Sequence, residues 1–508
     1  MAVLGSRSRV LRERNPDSGF RSGAIAALGA TLAVVAFQLW ITPANPPGYH
    51  RDEAALSLNA YTLSTGLRDE DGARLPLFFR SFDDYKSPLY PYLLAGVFRV
   101  TGPGEQVARA FSAVLVLAGV LLLGVLAKRL TGNGLVAIVV VVLAGLTPWL
   151  FELGRIAIEA STQPLLIVLL LLWLERTSRL GRYGVAEGVV AGALVGLLTY
   201  SYTGSRLLGP LFAGALVIFA GRGRWRFVLS AWGVFLAALV PMAVYAIRHP
   251  GALTARYEAT TIARDGMSGA RVVVQAVANW FHDVNPWHWT TAGDPAPYIH
   301  NSGYGAFFAA VALLALAGMV VVLRRRRADR WWRFVLLATL LVPIPAALTV
   351  DRFNAIRLVA LPVFGLVLAI PALDALIAAV RRSWPARVAV AVLTLSIGVQ
   401  FVAFLDSYRT RGPARVVLFE AGVEPLLEQP LAEGETIYVD FDDRGAQTQA
   451  RWRAVVSGVP RNRIVVLPDG GIPPPGSVVF ARFQECDYVC ERFASWEDYW
   501  LARAVGPR

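Results

Sequence analysis

The sequence predicts an α-helical polytopic membrane protein of about eleven transmembrane helices with a small extracytoplasmic α/β domain at its carboxyl end. Of its 508 residues, 55% are hydrophobic and only 17% are charged, whereas soluble chains run nearer a quarter charged. The mean hydropathy is +0.50, and the apolar residues are gathered into runs long enough to cross a roughly 30 Å hydrocarbon core. From about Ser407 onward the composition changes to charged residues, Pro and short β-like runs.

The first span follows MAVLGSRSRVLRERNPDSGFRSG, a stretch with five arginines and no lysine, and continues to about Ile41. No small-residue cleavage site follows it, so it reads as a retained helix and not as a signal peptide. Further runs lie at about 107 to 127, 133 to 150, 162 to 175, 184 to 201, 207 to 221, 226 to 247, 304 to 323, 331 to 349, 356 to 379 and 386 to 405. The segment from Pro88 to about Val100 is too short and Pro-rich to span, and reads as an interfacial or re-entrant piece. With the amino terminus in the cytoplasm, Lys128 and Arg129, ERTSRLGR, GRGRWR, RRRRADR, and Arg381, Arg382 and Arg387 all fall on the inner side. That pattern is the charge bias of cytoplasmic loops, and it explains the net charge of +13 without nucleic acid as a partner. The plasma membrane is then the expected location.

The outer side receives long loops at about 42 to 106 and 248 to 303, shorter loops near Arg155, Tyr202 and Asp351 to Arg357, and the carboxyl-terminal tail. The expected division is a membrane domain over 1–408 and an outer α/β domain over 409–508, the latter suggested by ETIYVDFDD, RIVVLPD and GSVVFARF. Cys486 and Cys490, the two cysteines of the chain, make neither a disulfide framework nor a four-ligand zinc site, although a local disulfide between them is open.

Ionisable groups at a membrane boundary are costly to desolvate, so a cluster on one side calls for a functional reading. Asp52 and Glu53 follow the first span; adjacent side chains diverge on a helix or a strand, so one carboxylate can work while the other orients. The structural alternative for Asp52 is helix N-capping. Lys86 sits at head-group level, where it could equally be an interfacial anchor. Arg109, Arg155, Arg206 and Arg357 add outward-facing guanidinium groups, with Arg352 beside the last. Arg155 and Glu159 are four apart and could form a helical ion pair. Several arginines and a lysine make a positive pocket, and guanidinium forks suit phosphate. Carboxylates added to such a pocket fit a sugar transfer in which a base takes an acceptor proton and cations stabilise a departing phosphate.

In this setting HRDEAALSLNAY, YKSPLYPYLLAG, EQVARAFSAV, GRIAIEA, YSYTGSRLLGPL and PIPAALTVDRFNAIRLVALPVFG together resemble the GT-C membrane glycosyltransferases, specifically the family 39 protein mannosyltransferase-like and aminoarabinose transferase-like group. The resemblance covers about residues 1 to 408. It implies a polyprenyl-phosphate-linked sugar donor, with Asp52 as the catalytic carboxylate and Glu53 and Glu159 supporting it. It implies donor-phosphate binding by Lys86 and Arg109, with Arg155, Arg206, Arg357 and Tyr202 as further contacts. His282, Asp294 and His300 would be substrate contacts in the second outer loop, and an interfacial Trp/His belt is the structural alternative. No cofactor is required; the resemblance allows a divalent metal near Asp52 and Glu53. Two departures, Lys86-Ser87-Pro88 for Lys-Pro-Pro and Phe353-Asn354 for a Pro-His pair, leave the sugar open.

The resulting expectation is an inverting transfer of a sugar from a polyprenyl-phosphate carrier to an extracytoplasmic glycan, lipid or protein. The alternatives are a lipid-linked sugar flippase and an inactive scaffold subunit of an envelope assembly.

Overall fold

In the computed structural model, which describes residues 16–40, 42–82, 84–300, 305–440, 442–469, 471–482 and 489–506, each of the eleven apolar runs contains a helix. The amino-terminal arginines up to Arg14, and Cys486, lie outside the described residues. Cys490 is disulfide-bonded. Among the described residues five helices are long and apolar enough to cross a membrane, including Glu105–Thr131, Trp225–Arg248 and Leu361–Val380. Others are shorter for local reasons. The run at 133–150 breaks into Gly134–Leu146 and Pro148–Leu153, because a proline cannot donate to the turn behind it but fits the first turn of a new helix. The run at 331–349 is also interrupted around Pro343 and Pro345, into Arg330–Leu341 and Ile344–Ala347, yet its two pieces together are one of the five.

Helices approach closely where a side chain is missing, as in other membrane bundles. A β-carbon on Gly318 would fall on Leu368 O, and one on Gly192 on Ala231 O. The basic loops gather at one end of the bundle: Arg129 pairs with Glu175 at 3.6 Å, and Arg224 and Arg330 both lie over the Tyr183 ring.

The opposite end is built by the outer loops. Helix Arg51–Gly66 packs on helix Leu89–Thr101; the latter has 13 residues, about 20 Å of rise, and falls short of a crossing. Between them run β1 (Phe79–Ser81) and β2 (Asp84–Lys86), an antiparallel hairpin that pairs Phe79 with Lys86. The tail folds into a sheet of β3 (Ile437–Val439), β4 (Ile464–Val466), β5 (Val478–Arg482), β6 (Val489–Trp496) and β7 (Tyr499–Gly506) in the order β4-β3-β5-β7-β6. Strand β3 is parallel to β4 and β5, and β7 is antiparallel to β5 and β6. Helix Arg444–Val456 makes the crossover from β3 to β4 that parallel pairing demands. Its Ala446, Ala450 and Ala454 face the sheet, while Trp452 stacks with Tyr49 and Phe98 at 5.7 and 6.2 Å. One helix therefore serves the core of the tail domain and its dock on the membrane domain.

Candidate active site

A cavity of about 960 Å³ lies between the outer ends of the spans and the tail domain. His50, Asp52, Lys86, Glu159, Arg206 and Arg357 reach it, as does Tyr202.

Asp52 and Glu53 diverge as the helical angle requires. Glu53 is fully buried and takes a forked pair of bonds from Arg109: Nε to Oε1 at 2.9 Å and Nη2 to Oε2 at 2.8 Å. It also accepts the Ala157 and His50 backbone N–H groups. The remaining donors of Arg109 go to Pro46 O and Gly48 O. Both residues were expected at the chemistry, and neither lines the cavity. Their charges are spent on each other, tying the first outer loop to helix Glu105–Thr131. With both Glu53 oxygens committed, the metal position allowed near Asp52 and Glu53 lacks a free second carboxylate. Among the described residues no group of three or more metal-ligating side chains gathers.

Asp52 faces the cavity because its capping role is taken. The side chain of His50 accepts the Asp52 N–H at 3.1 Å as the N-cap, and the same Nδ1 lies 2.9 Å from Tyr298 Oη. The Asp52 carboxylate pairs with Lys86 Nζ at 3.1 Å, and Lys86 also meets Asp84 at 3.4 Å. Asp84 and Lys86 are two apart on β2, hence on one face of the strand. Burial would raise Asp52, but Lys86 and His50 outweigh it and hold the carboxyl well below its usual range. Burial likewise works against the Lys86 ammonium, and the surrounding Asp52, Asp84 and Glu159 more than reverse it, so Lys86 stays charged.

Glu159 is buried behind this pair, accepts the Ser87 N–H at 3.1 Å, and is pushed by burial up to about 7 against the opposing pull of Lys86. The helical ion pair open to Arg155 and Glu159 as the structural alternative does not form, since the chain between them is a turn and not a helix. Arg155 is buried away from the cavity, over Phe151 at 4.1 Å and donating to Gln38 O. Arg206 reaches across to Tyr85 O and Leu253 O, and its Nε is buried without a partner among the described residues. Arg357 is bound to Asp351 at 2.9 Å and to Thr349 at 2.6 Å.

The second outer loop corrects another expectation. Asp294 and His300 are buried off the cavity, and His282 stacks on His288 at 3.8 Å. Asp294 accepts the Ala355 and Ala296 N–H groups, and Asp283 accepts that of Phe353. These carboxylates hold the loop carrying Arg357. What the second loop brings to the cavity is Tyr298 and Arg256. Arg256 is exposed and has no ion pair with any described residue. Charge bias against outward arginines could have flagged it, but Arg248, Arg264 and Arg271 share that loop and carry the same signal. The tail domain adds Asp442, Arg444 and Arg482, which sequence reading left unassigned.

Residues 85–247 match the family described as dolichyl-phosphate-mannose-protein mannosyltransferase; the matched stretch contains Lys86, Glu159 and Arg206 but not Asp52 or Arg357. By structure, the chain is similar to ArnT from Cupriavidus metallidurans bound to undecaprenyl phosphate, at 14% identity and TM-score 0.58, covering 96% of this chain and 99% of that one. The apo state of that ArnT matches equally, at 13% identity and TM-score 0.58, over 96% and 100% of the two chains. Among curated protein sequences none matches. The chain therefore shares the membrane fold of that ArnT over nearly its whole length, tail domain included.

Proposed function

We propose that this GT-C-type membrane protein is a glycosyltransferase that moves a sugar from a polyprenyl-phosphate carrier to an acceptor hydroxyl outside the cytoplasm. The observation that carries this reading is the Asp52–Lys86 pair at 3.1 Å in a cavity that also holds Arg206, Arg256 and Arg357. A carboxylate among guanidinium groups suits a reaction that takes up a proton at one point and releases phosphate at another. The undecaprenyl phosphate bound to the structurally similar ArnT supports a carrier of that chemistry.

In this scheme the donor phosphate settles against Lys86, Arg206, Arg256 and Arg357, and competes with Asp52 for the ammonium. Losing that partner raises the basicity of Asp52 at the moment the donor is in place. Asp52 takes the proton of the acceptor hydroxyl, whose oxygen attacks the anomeric carbon from the face opposite the phosphate. The carbon–oxygen bond to phosphate breaks with its electron pair on the phosphate oxygen, and the sugar configuration inverts. The departing phosphate is an anion that needs no general acid. Glu159 holds the backbone of Ser87 and so places Lys86. No step of this scheme requires a metal or other cofactor.

The test is transfer of radiolabelled sugar from a panel of synthetic polyprenyl-phosphate sugars to envelope acceptors, by protein in nanodiscs. Asp52→Asn should lower transfer by about 10²- to 10⁴-fold, the span general base catalysis covers, while undecaprenyl phosphate still binds. Equal transfer by both proteins would remove Asp52 as the base. Undecaprenyl phosphate binding with no transfer from any donor would favour a flippase or a scaffold.

A further inference from the structure

The cavity is larger than one headgroup needs, since its volume of about 960 Å³ stands at the top of the range of about 300–1,000 Å³ typical of whole ligand sites. Its two ends also differ in their charge. At the membrane side Arg256 has no ion pair with a described residue, and Arg206 donates only to backbone carbonyls. That end is cationic and incompletely satisfied. At the tail-domain side every arginine already faces a carboxylate: Arg51 with Glu420 at 3.8 Å, Arg444 with Asp71 at 3.3 Å and Arg482 with Asp498 at 3.9 Å. Beside them the carboxylate of Asp442 is exposed and has no ion pair with a described residue, so this end has no cation to spare for a second anion.

The aromatic residue at this end is Phe82, at the tip of the β1–β2 hairpin. It has φ +55°, a left-handed conformation that non-glycine residues seldom adopt. Strain of this kind persists where surrounding structure holds a side chain in place for use. The ring lines the cavity, with Arg51 5.7 Å from its centre and Gly445, at the start of helix Arg444–Val456, near its Cε1 edge. Arginines already paired with carboxylates, a further carboxylate without an ion pair among the described residues and an apolar ring suit a neutral polyhydroxylated ligand, whose hydroxyl groups pair with carboxylate and guanidinium edges while its C–H face lies on the ring.

Resting on the transferase reading above, we infer that the tail-domain end of the cavity is an acceptor subsite for a neutral glycan, with Phe82 and Asp442 as its specificity residues. Asp52 lines the same cavity as both groups, between the donor cations and this subsite in function: it receives the proton of the glycan hydroxyl that the subsite presents.

The test is saturation-transfer difference NMR on the full chain in nanodiscs preloaded with undecaprenyl phosphate. The probes are neutral oligosaccharides released from the source organism's envelope, the same oligosaccharides after phosphorylation, and a Ser/Thr-rich peptide. Signals from the neutral oligosaccharides alone, weakened at least fivefold in both Phe82→Ala and Asp442→Asn with undecaprenyl phosphate affinity unchanged, are the expected result. Asp442→Asn is an exposed isosteric change, so it reads the subsite even if Phe82→Ala fails to fold. Preference for the phosphorylated oligosaccharides or the peptide, binding indifferent to both substitutions, or no binding of any probe would overturn the subsite. Wild-type protein that binds neutral oligosaccharide but not undecaprenyl phosphate would instead sink the donor reading and leave the glycan subsite standing.

Discussion

Two neighbouring carboxylates show how far a residue's fate depends on the partner it meets. Glu53 is fully buried against Arg109, with every oxygen bonded. Removing one member of such a pair leaves the other charged and unmatched, at a cost of about 3–5 kcal/mol. Glu53→Gln should therefore lower the melting temperature of the detergent-solubilised protein far more than Asp52→Asn, whose side chain is 29% exposed. Similar losses in the two variants would show that the buried pair is not what holds the first outer loop. The divergence of the two side chains was readable from their adjacency. Which of them would meet Arg109, 56 positions further on, was not, because nothing local sets that distance.

Glu159 gives the pH-dependent case. Burial, opposed by Lys86, pushes its carboxyl from 4.5 up to about 7. Between those values the folded protein keeps a proton that the unfolded chain has already released, so stability falls as pH rises through that window and levels off above it. Glu159→Gln has no proton to release. Its melting temperature relative to wild type should climb between pH 5 and 7 and stay constant from 7 to 8. A difference that is flat across pH 5 to 8 would place the Glu159 carboxyl in its ordinary range.

At the scale of elements, the helix Arg51–Gly66 is aimed by its cap. Asp, Asn, Ser and Thr are the usual N-caps, so the sequence offers Asp52 for that role, and the structure gives it to His50. The His50 ring packs edge-on against Tyr298 at 4.8 Å, and Tyr298 stacks on Phe419 at 5.4 Å. The second outer loop and the connection to the tail domain thus steady the residue that orients Asp52. Caps of this kind contribute about 0.5–2 kcal/mol. His50→Ala should lower kcat about tenfold or more with undecaprenyl phosphate affinity unchanged, and His50→Asn, which can accept the same N–H, should restore most of it. Failure of Asn to rescue would mean that the imidazole itself, and not the cap, matters. Helix positions were legible because apolar length and proline breaks are local signals. The β1–β2 hairpin was not, since three-residue strands leave no periodicity to detect, and it carries Asp84 and Lys86 into the site.

Across the whole molecule, sidedness was legible and convergence was not. Loop charge separated the two faces, and in the structure the basic loops do collect at the end away from the cavity. The meeting of Asp52, Arg256, Arg357 and Asp442 in one cavity joins segments hundreds of positions apart, and no spacing rule reaches that far. The absolute orientation still follows from one physical bias, the retention of Lys and Arg in the cytoplasm. That bias predicts the loop with Arg324 to Arg327 inside, and the cavity, the loop before β1 and the tail domain outside. Ala328, Ala73 and Ala432 are exposed positions in those three places. In intact cells a membrane-impermeant maleimide should label Ala73→Cys and Ala432→Cys above the wild-type background, and should reach Ala328→Cys only after permeabilisation. The reverse pattern would put the cavity in the cytoplasm and remove the outward-facing acceptor from the reaction. Labelling of all three in intact cells would mean that the basic loops do not fix the topology, and the orientation would then have to come from the tail domain.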